Sequence, residues 1–383
     1  MTTMMLEITC RDPVVSRDGR PFGVNQGNRM RGLDWLLPSV VAGALRTTLG
    51  KVANRDFQAI ADELLGVEVA GPFPVAEGRL YLPAPEDCVV HPERGPLRAQ
   101  PRPLDTGGCD LPVSGLQPVG VPEDFKPDKA PDWWPEERVA AWLALADSDI
   151  PFDRTFLLAP EKVERTHVRL NPDTGAAEEG ALFTTSALAL SDLPRYGARA
   201  RENHSSCFAP IKLAVRVRAQ GWCAETAAKL DTLYALGGER RLVHWRATDN
   251  GAWSSPQAIR TKLAAAERVR MMLATPALFG EGWKPRWLNG ELIGKPPGAN
   301  ITLQLIGVSI RRWRAVSGWS LLNQPPDYPG PKPVRRMVPA GGVYFFEVRD
   351  GNAAELGERW FESVSDDEQD RRDGFGLALW GIW

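Results

Sequence analysis

The residues best suited to chemistry open the chain. Two guanidinium groups flank a glycine in Arg17-Asp18-Gly19-Arg20-Pro21-Phe22-Gly23, and Arg29 and Arg31 follow in a Gly/Asn/Arg stretch. Pro38-Ser39 then begins an amphipathic run to Leu49 with Arg46 in its last turns. Bare backbone and arginines beside a helix start can cradle a phosphate. The same residues can equally form a tight surface turn, with Arg46 covering the end of its own helix. Farther on, Arg165, His167 and Arg169 recur at period two and so share one face of a strand. A basic, exposed strand face suits contact with an RNA backbone, and it can also be merely solvated.

Acid–base chemistry finds less support. The four histidines are His91, His167, His204 and His244, and none has a partner at a spacing that makes a general acid or base. There is no CxxC, HExxH or GxSxG motif and no Walker lysine. The reading is of a protein that is not an enzyme and that carries no metal or cofactor. Trp283, Trp287, Trp313 and Trp319 alternate with Arg286, Arg311, Arg312 and Arg314. That mixture serves base stacking, protein–protein anchoring or a half-buried core.

These groups need elements to hold them. At 383 residues the chain is long enough for two domains. Hydrophobic content of 43% with 25% charged residues predicts a soluble globular protein. No apolar run is long enough to span a membrane, and the N-terminus does not read as a signal peptide. Five scattered cysteines make a disulfide framework improbable, so a reducing cytoplasm is expected. The net charge of −2 excludes a generic, strongly basic nucleic-acid binder. Locally, residues 1–55 hold eight basic against four acidic residues, a balance of +4, so a basic patch there is still possible.

Strand patterns occur at Leu6 to Cys10, Glu164 to Leu170, Ala181 to Ser186, Lys212 to Arg218 and Arg241 to Trp245. In Lys212 to Arg218, Leu213, Val215 and Val217 are expected inward and the basic residues outward. Helical patterns occur at Ser39 to Leu49, Asp56 to Leu65 and Glu225 to Leu236, and a short one starts at Pro135. Twelve prolines between Pro83 and Pro135 predict a long irregular insertion. The order is compatible with a βαββαβ ferredoxin-like (RRM-like) unit over residues 1–250. A more degenerate α+β domain follows over 255–383, with strands near 268–273, 301–310, 313–319 and 343–348.

Five stretches, taken in order, resemble the RAMP superfamily of CRISPR proteins, and within it the third subunit of the Cmr (type III-B) effector complex. They are Arg17 to Phe22 with Pro38 to Arg46; Glu164-Arg165-Thr166-His167-Val168 through Leu182-Phe183-Thr184; Leu236-Gly237-Gly238-Glu239-Arg240-Arg241; Leu273 to Phe279 with Gly282-Trp283; and Lys332-Pro333 through Val338 to Phe345. The run Gly374-Phe375-Gly376 to Gly381 looks like the superfamily's glycine-rich loop.

The resemblance implies tandem ferredoxin-like domains in one α+β protein. It implies a non-catalytic subunit that caps the crRNA by holding its 5′ handle. The implied neighbours are the large polymerase-like subunit and the backbone subunit with target-RNA cleavage activity. The candidates for handle contact are Arg17, Arg20, Phe22, Arg29, Arg31, Arg46, Arg165, Thr166, His167, Arg169, Arg240 and Arg241. Gly374, Gly376 and Gly381 are candidates for close backbone approach to a phosphate or a neighbouring subunit. The rival readings are a RAMP endoribonuclease that processes precursor crRNA with His167 or His204, a pure protein scaffold, and the equivalent subunit of a type III-A complex.

Overall fold

The computed structural model describes residues 1–18, 29–103, 110–145, 150–199, 202–249, 253–320 and 330–383. It is an α+β structure of mainly antiparallel sheets. The first sheet has seven strands in the order Asp231–Ala235, Leu242–Thr248, Thr2–Cys10, Lys212–Ala219, Glu68–Ala76, Arg79–Pro83 and Trp133–Pro135. Leu6 and Ile8 of the central Thr2–Cys10 strand are fully buried, as are Leu213, Val215 and Val217 of its neighbour. The helix Pro38–Val52 starts with proline at a position that needs no N–H donor. Its Val41, Ala42, Leu45 and Leu49 form the stripe that covers the sheet.

Several sequence expectations change. The strand Glu68–Ala76 was not anticipated, because Gly71, Pro72 and Pro74 argue against a central strand. It is nonetheless buried almost throughout and pairs with Lys212–Ala219 across a register shift between Ala214 and Arg216. The pattern from Glu225 to Leu236 is not one helix. The helix is Gly221–Ala228, and Asp231–Ala235 is an edge strand paired with Leu242–Thr248. Only Ala61–Leu65 is helical in the stretch 56–65. The segments Lys162–Leu170 and Ala177–Leu188 do pair, but as a separate two-stranded hairpin rather than as part of the main sheet.

The Pro-rich stretch is also more regular than its composition suggests. Cys88–His91 pairs with Gly95–Arg98, and Gln100–Pro101 pairs with Val119–Gly120. Trp133–Pro135 becomes the last strand of the first sheet. Its prolines lie in short edge pairs and connections, where a missing N–H breaks no long ladder.

The second sheet runs Ile293–Gly294, Thr302–Ser309, Val343–Asp350, Arg268–Leu273, Leu377–Ile382 and Glu362–Ser363. A single apolar cluster passes through both sheets, and Trp134, Trp142, Trp245 and Trp380 are fully buried in it. Buried ions tie the halves together. Arg270 donates to Asp87 and to the Trp142 carbonyl, while Trp142 Nε1 donates to Asp87 Oδ1 at 2.8 Å. Arg98 stacks over the same indole at 4.3 Å. Among the described residues, no helix is long and apolar enough to cross a membrane.

Candidate nucleic-acid interface

The surface is built from the N-terminal segment outward. Val14 pairs with Leu188 at the end of the long hairpin, and the Gly238 amide donates to the Val15 carbonyl at 3.1 Å. Arg17 bridges Gly32, so the segment returns beside itself. Arg29 then bridges Thr184, with the Met30 amide donating to the Thr184 carbonyl at 2.9 Å. Val15, Met30 and Ala187 form a small buried cluster at this junction. Three segments far apart in sequence therefore meet: residues 14–18 with 29–33, the hairpin 162–188, and the turn at 237–241.

Backbone geometry explains the Gly-Gly pair. Gly237 has φ +73°, and a Cβ there would lie 2.6 Å from the Val15 carbonyl oxygen. Only glycine permits both that conformation and that approach.

Six arginines stand out on this surface, beside the exposed acids Glu164, Glu179 and Glu239. Arg17, Arg29, Arg31, Arg165, Arg169 and Arg240 are all exposed. Arg29 pairs with Glu164, and Arg169 with Glu178 at 3.4 Å. Pairs this exposed contribute little and release their arginines readily to a stronger anion. Arg31, Arg165 and Arg240 have no ion-pair partner among the described residues. His167 is half-buried; its Nε2 lies 2.9 Å from Thr185 Oγ1, and its ring stacks on Phe183 at 5.1 Å with an interplanar angle of 16°. Arg165, His167 and Arg169 share one hairpin face with Phe183. Thr166 falls on the opposite face, beside the exposed Val168 and Leu182.

Other candidates lie elsewhere. Arg46 is buried and donates to the Val67 carbonyl at 2.7 Å and to Asp373, so it ties the first helix to the second half and has no access to a ligand. Arg241 is partly covered and paired with Glu239, leaving Arg240 as the exposed cation of that turn. Gly374, Gly376 and Gly381 are buried. Their absent Cβ atoms would meet the Val69 carbonyl oxygen at 2.3 Å, Ser365 Oγ at 2.4 Å and the Leu143 carbonyl oxygen at 2.4 Å. The glycine-rich run thus packs against the protein's own backbone. Arg20 and Phe22 lie outside the described residues.

Sequence reasoning missed the cations that the fold adds. Asp34 accepts from Lys162 Nζ at 2.7 Å and from Arg314 Nη2 at 3.2 Å, which brings residues 311–316 of the second half against this surface. The Trp/Arg alternation at 311–314 was the only sequence signal. Trp283 and Trp287 of that pattern instead pack on the core.

The outward face of Lys212–Ala219 differs from expectation too. Lys212 is exposed, but Arg216 is buried against the second half, where it donates to the Phe361 carbonyl at 2.9 Å. Burial, and then the neighbouring Arg218, pull the Arg216 guanidinium down to about 10. Arg218 clasps Glu362 at 2.5 and 3.0 Å. Among the described residues, no group of three or more His, Cys, Asp or Glu side chains could hold a metal ion.

A family model described as CRISPR-associated protein (Cas_Cmr3) matches residues 6–383. No curated protein matches the chain. Among solved structures, a chain of type III-B Cmr-beta bound to cognate target RNA is similar with a TM-score of 0.52 and 12% identity, over 98% of this chain and 96% of that one. A chain of Cmr-beta bound to cognate target RNA and AMPPnP gives a TM-score of 0.49 and 12% identity, over 89% and 86%. A chain of the Csm3-Csm4 subcomplex of the type III-A CRISPR-Cas interference complex gives 0.32 and 8% identity, over 91% and 94%. At such identities the first of these likenesses speaks to fold alone, and the other two carry no weight.

Proposed function

The chain belongs to the Cas_Cmr3 family of CRISPR-associated proteins, and from that premise we propose that it holds the 5′ handle of crRNA as a non-catalytic capping subunit of a type III-B effector complex. Its neighbours in that reading are the large polymerase-like subunit and the backbone subunit that cleaves target RNA. The observation that carries the reading is the convergence of residues 14–18 with 29–33, the hairpin 162–188 and the turn 237–241 into one surface with Arg31, Arg165 and Arg240 exposed and, among the described residues, unpaired. Phosphates need donors at such a surface, and splayed bases need aromatic and polar edges beside them. The stacked His167–Phe183 pair supplies the latter.

We read both sheets as ferredoxin-like units. In the first, Leu242–Thr248, Thr2–Cys10, Lys212–Ala219 and Glu68–Ala76 lie in the order fourth, first, third, second of a βαββαβ chain. In the second, Leu377–Ile382, Arg268–Leu273, Val343–Asp350 and Thr302–Ser309 repeat that order.

The test is binding of crRNA with and without its 5′ handle across a salt series, with the large subunit present. Preference for the handle is expected. Arg31→Ala/Arg165→Ala should weaken it and make the log–log salt slope shallower by about 1.4, about 0.7 for each single-strand phosphate left without its arginine. Equal binding of both RNAs would refute handle recognition. Metal-free cleavage of repeat RNA that His167→Ala abolishes would favour the endoribonuclease reading.

A further inference from the structure

Among the described residues, Trp313 is the large aromatic that the fold leaves in the open. It is 46% exposed, whereas most of the protein's tryptophans are packed in or against the core. The Arg336 guanidinium lies over its ring at 5.2 Å from the centroid. Arg336 belongs to a small antiparallel pair, Arg314–Val316 with Arg335–Met337, in which it faces Ala315, and Trp313 immediately precedes the first strand.

This pair is firmly held. Ala315, Val316 and Met337 are buried, and Val316 and Met337 pack with Leu33, Leu37, Leu278 and Phe375. Arg335 forms a two-bond clasp on Asp370 at 2.6 and 2.8 Å, and Arg314 holds Asp34. The exposed indole is therefore presented by an ordered support. It adjoins the cationic surface, because Asp34 is shared with Lys162 at the base of the hairpin. Arg312 and Lys332 are exposed nearby in sequence on the same two segments.

We propose that Trp313, with Arg336 on one face, is a stacking site for an unpaired base of single-stranded RNA that runs on from the surface formed by residues 14–18, 29–33 and the hairpin. An indole offers a base a flat apolar partner, and every base has a face to stack, so the site takes any unpaired nucleotide. Arg336 adds cation–π attraction to the ring and a positive charge beside the phosphate. The proposal rests on the RNA-binding reading above.

The test uses the full chain with handle-bearing RNAs carrying 2-aminopurine at successive positions. One position should be quenched on binding. Trp313→Ala should abolish that quenching and weaken binding about tenfold, while leaving the salt slope unchanged because every phosphate keeps its cation. Trp313→Phe should retain most of the affinity. If Trp313→Ala changes neither quenching nor affinity while Arg31→Ala/Arg165→Ala still weakens binding, the stacking site is refuted and the RNA reading stands. If Trp313→Ala instead impairs only association with a neighbouring subunit, the indole is a protein anchor and the proposal falls. If the wild-type chain binds no RNA, the underlying reading fails first.

Discussion

Replacing Arg270 with methionine isolates the energetics of the deepest charge in the protein. Arg270 and Asp87 are 1% and 0% exposed. The arginine also donates to the Trp142 carbonyl, and Asp87 accepts from Trp142 Nε1. Two unit charges about 4 Å apart attract by about 4 kcal/mol at an effective dielectric of 20, while desolvating each ion costs several kcal/mol. With the two charge-assisted hydrogen bonds to Trp142 added, each worth about 1.5–3 kcal/mol, the intact pair comes near balance. Arg270→Met removes the attraction and leaves a carboxylate with one indole donor, which should cost about 3–5 kcal/mol. That is a large share of a typical total of about 5–15 kcal/mol.

Asp87→Asn/Arg270→Met removes both charges and keeps an acceptor for Trp142. It should lie within about 1–2 kcal/mol of wild type. Urea unfolding followed by circular dichroism measures all three proteins. In hydrogen exchange, the Ala99 amide, bonded to the Asp87 carbonyl at 2.7 Å, should lose protection in the single variant. An Arg270→Met protein within about 1 kcal/mol of wild type would refute the argument. So would a double variant as unstable as the single one.

Two further outcomes concern stability. Arg46→Met should lose about 2–4 kcal/mol, because it strands the Val67 carbonyl and leaves Asp373 with the Gln369 amide in place of a cation, yet leave the RNA salt slope of the folded protein unchanged; a shallower slope in a binding titration would return Arg46 to the interface. Burial, and then the charge of Glu137, push Glu136 up from 4.5 to about 7. Between those values the folded state holds the extra proton, so stability falls as pH rises through this window. Glu136→Gln should therefore be more stable than wild type by about 1 kcal/mol at pH 8, discounted for partial exposure, with the gain gone at pH 5; equal stabilities at pH 8 in urea melts would refute this.

Local patterns that matched local structure were legible. The alternation of Lys212–Ala219 predicted its buried side, and the spacing of Arg165, His167 and Arg169 predicted a shared face. The strand Glu68–Ala76 was hidden because it is buried on both sides and so shows no alternation, and because its prolines mimic a loop. Asp231–Ala235 is a strand because Leu242–Thr248 pairs with it, an override that no local propensity reveals. The fate of Arg46 was set by Asp373, and that of the terminal glycines by Val69 and Leu143, partners with no signature near them in sequence. The candidate surface was legible as separate basic segments; what joins them is the bridging of Val14, Val15 and Arg29 to distant strands.

The packing of Gly374 on Val69, of Gly381 on Leu143 and of Arg46 on Asp373 bears on the order of synthesis. A chain emerging from the ribosome makes residues 46, 69 and 143 early and residues 373–381 late. Domains generally close in the order in which they are made. Here the first half acquires its full set of contacts only after residues 373–381 have been added. Until then Arg46 of the helix Pro38–Val52 lacks its counter-ion Asp373 and part of its cover, and the groove beside Val69 stands open. Such non-local closure slows the final step and keeps apolar surface of the first half exposed until the chain is nearly finished.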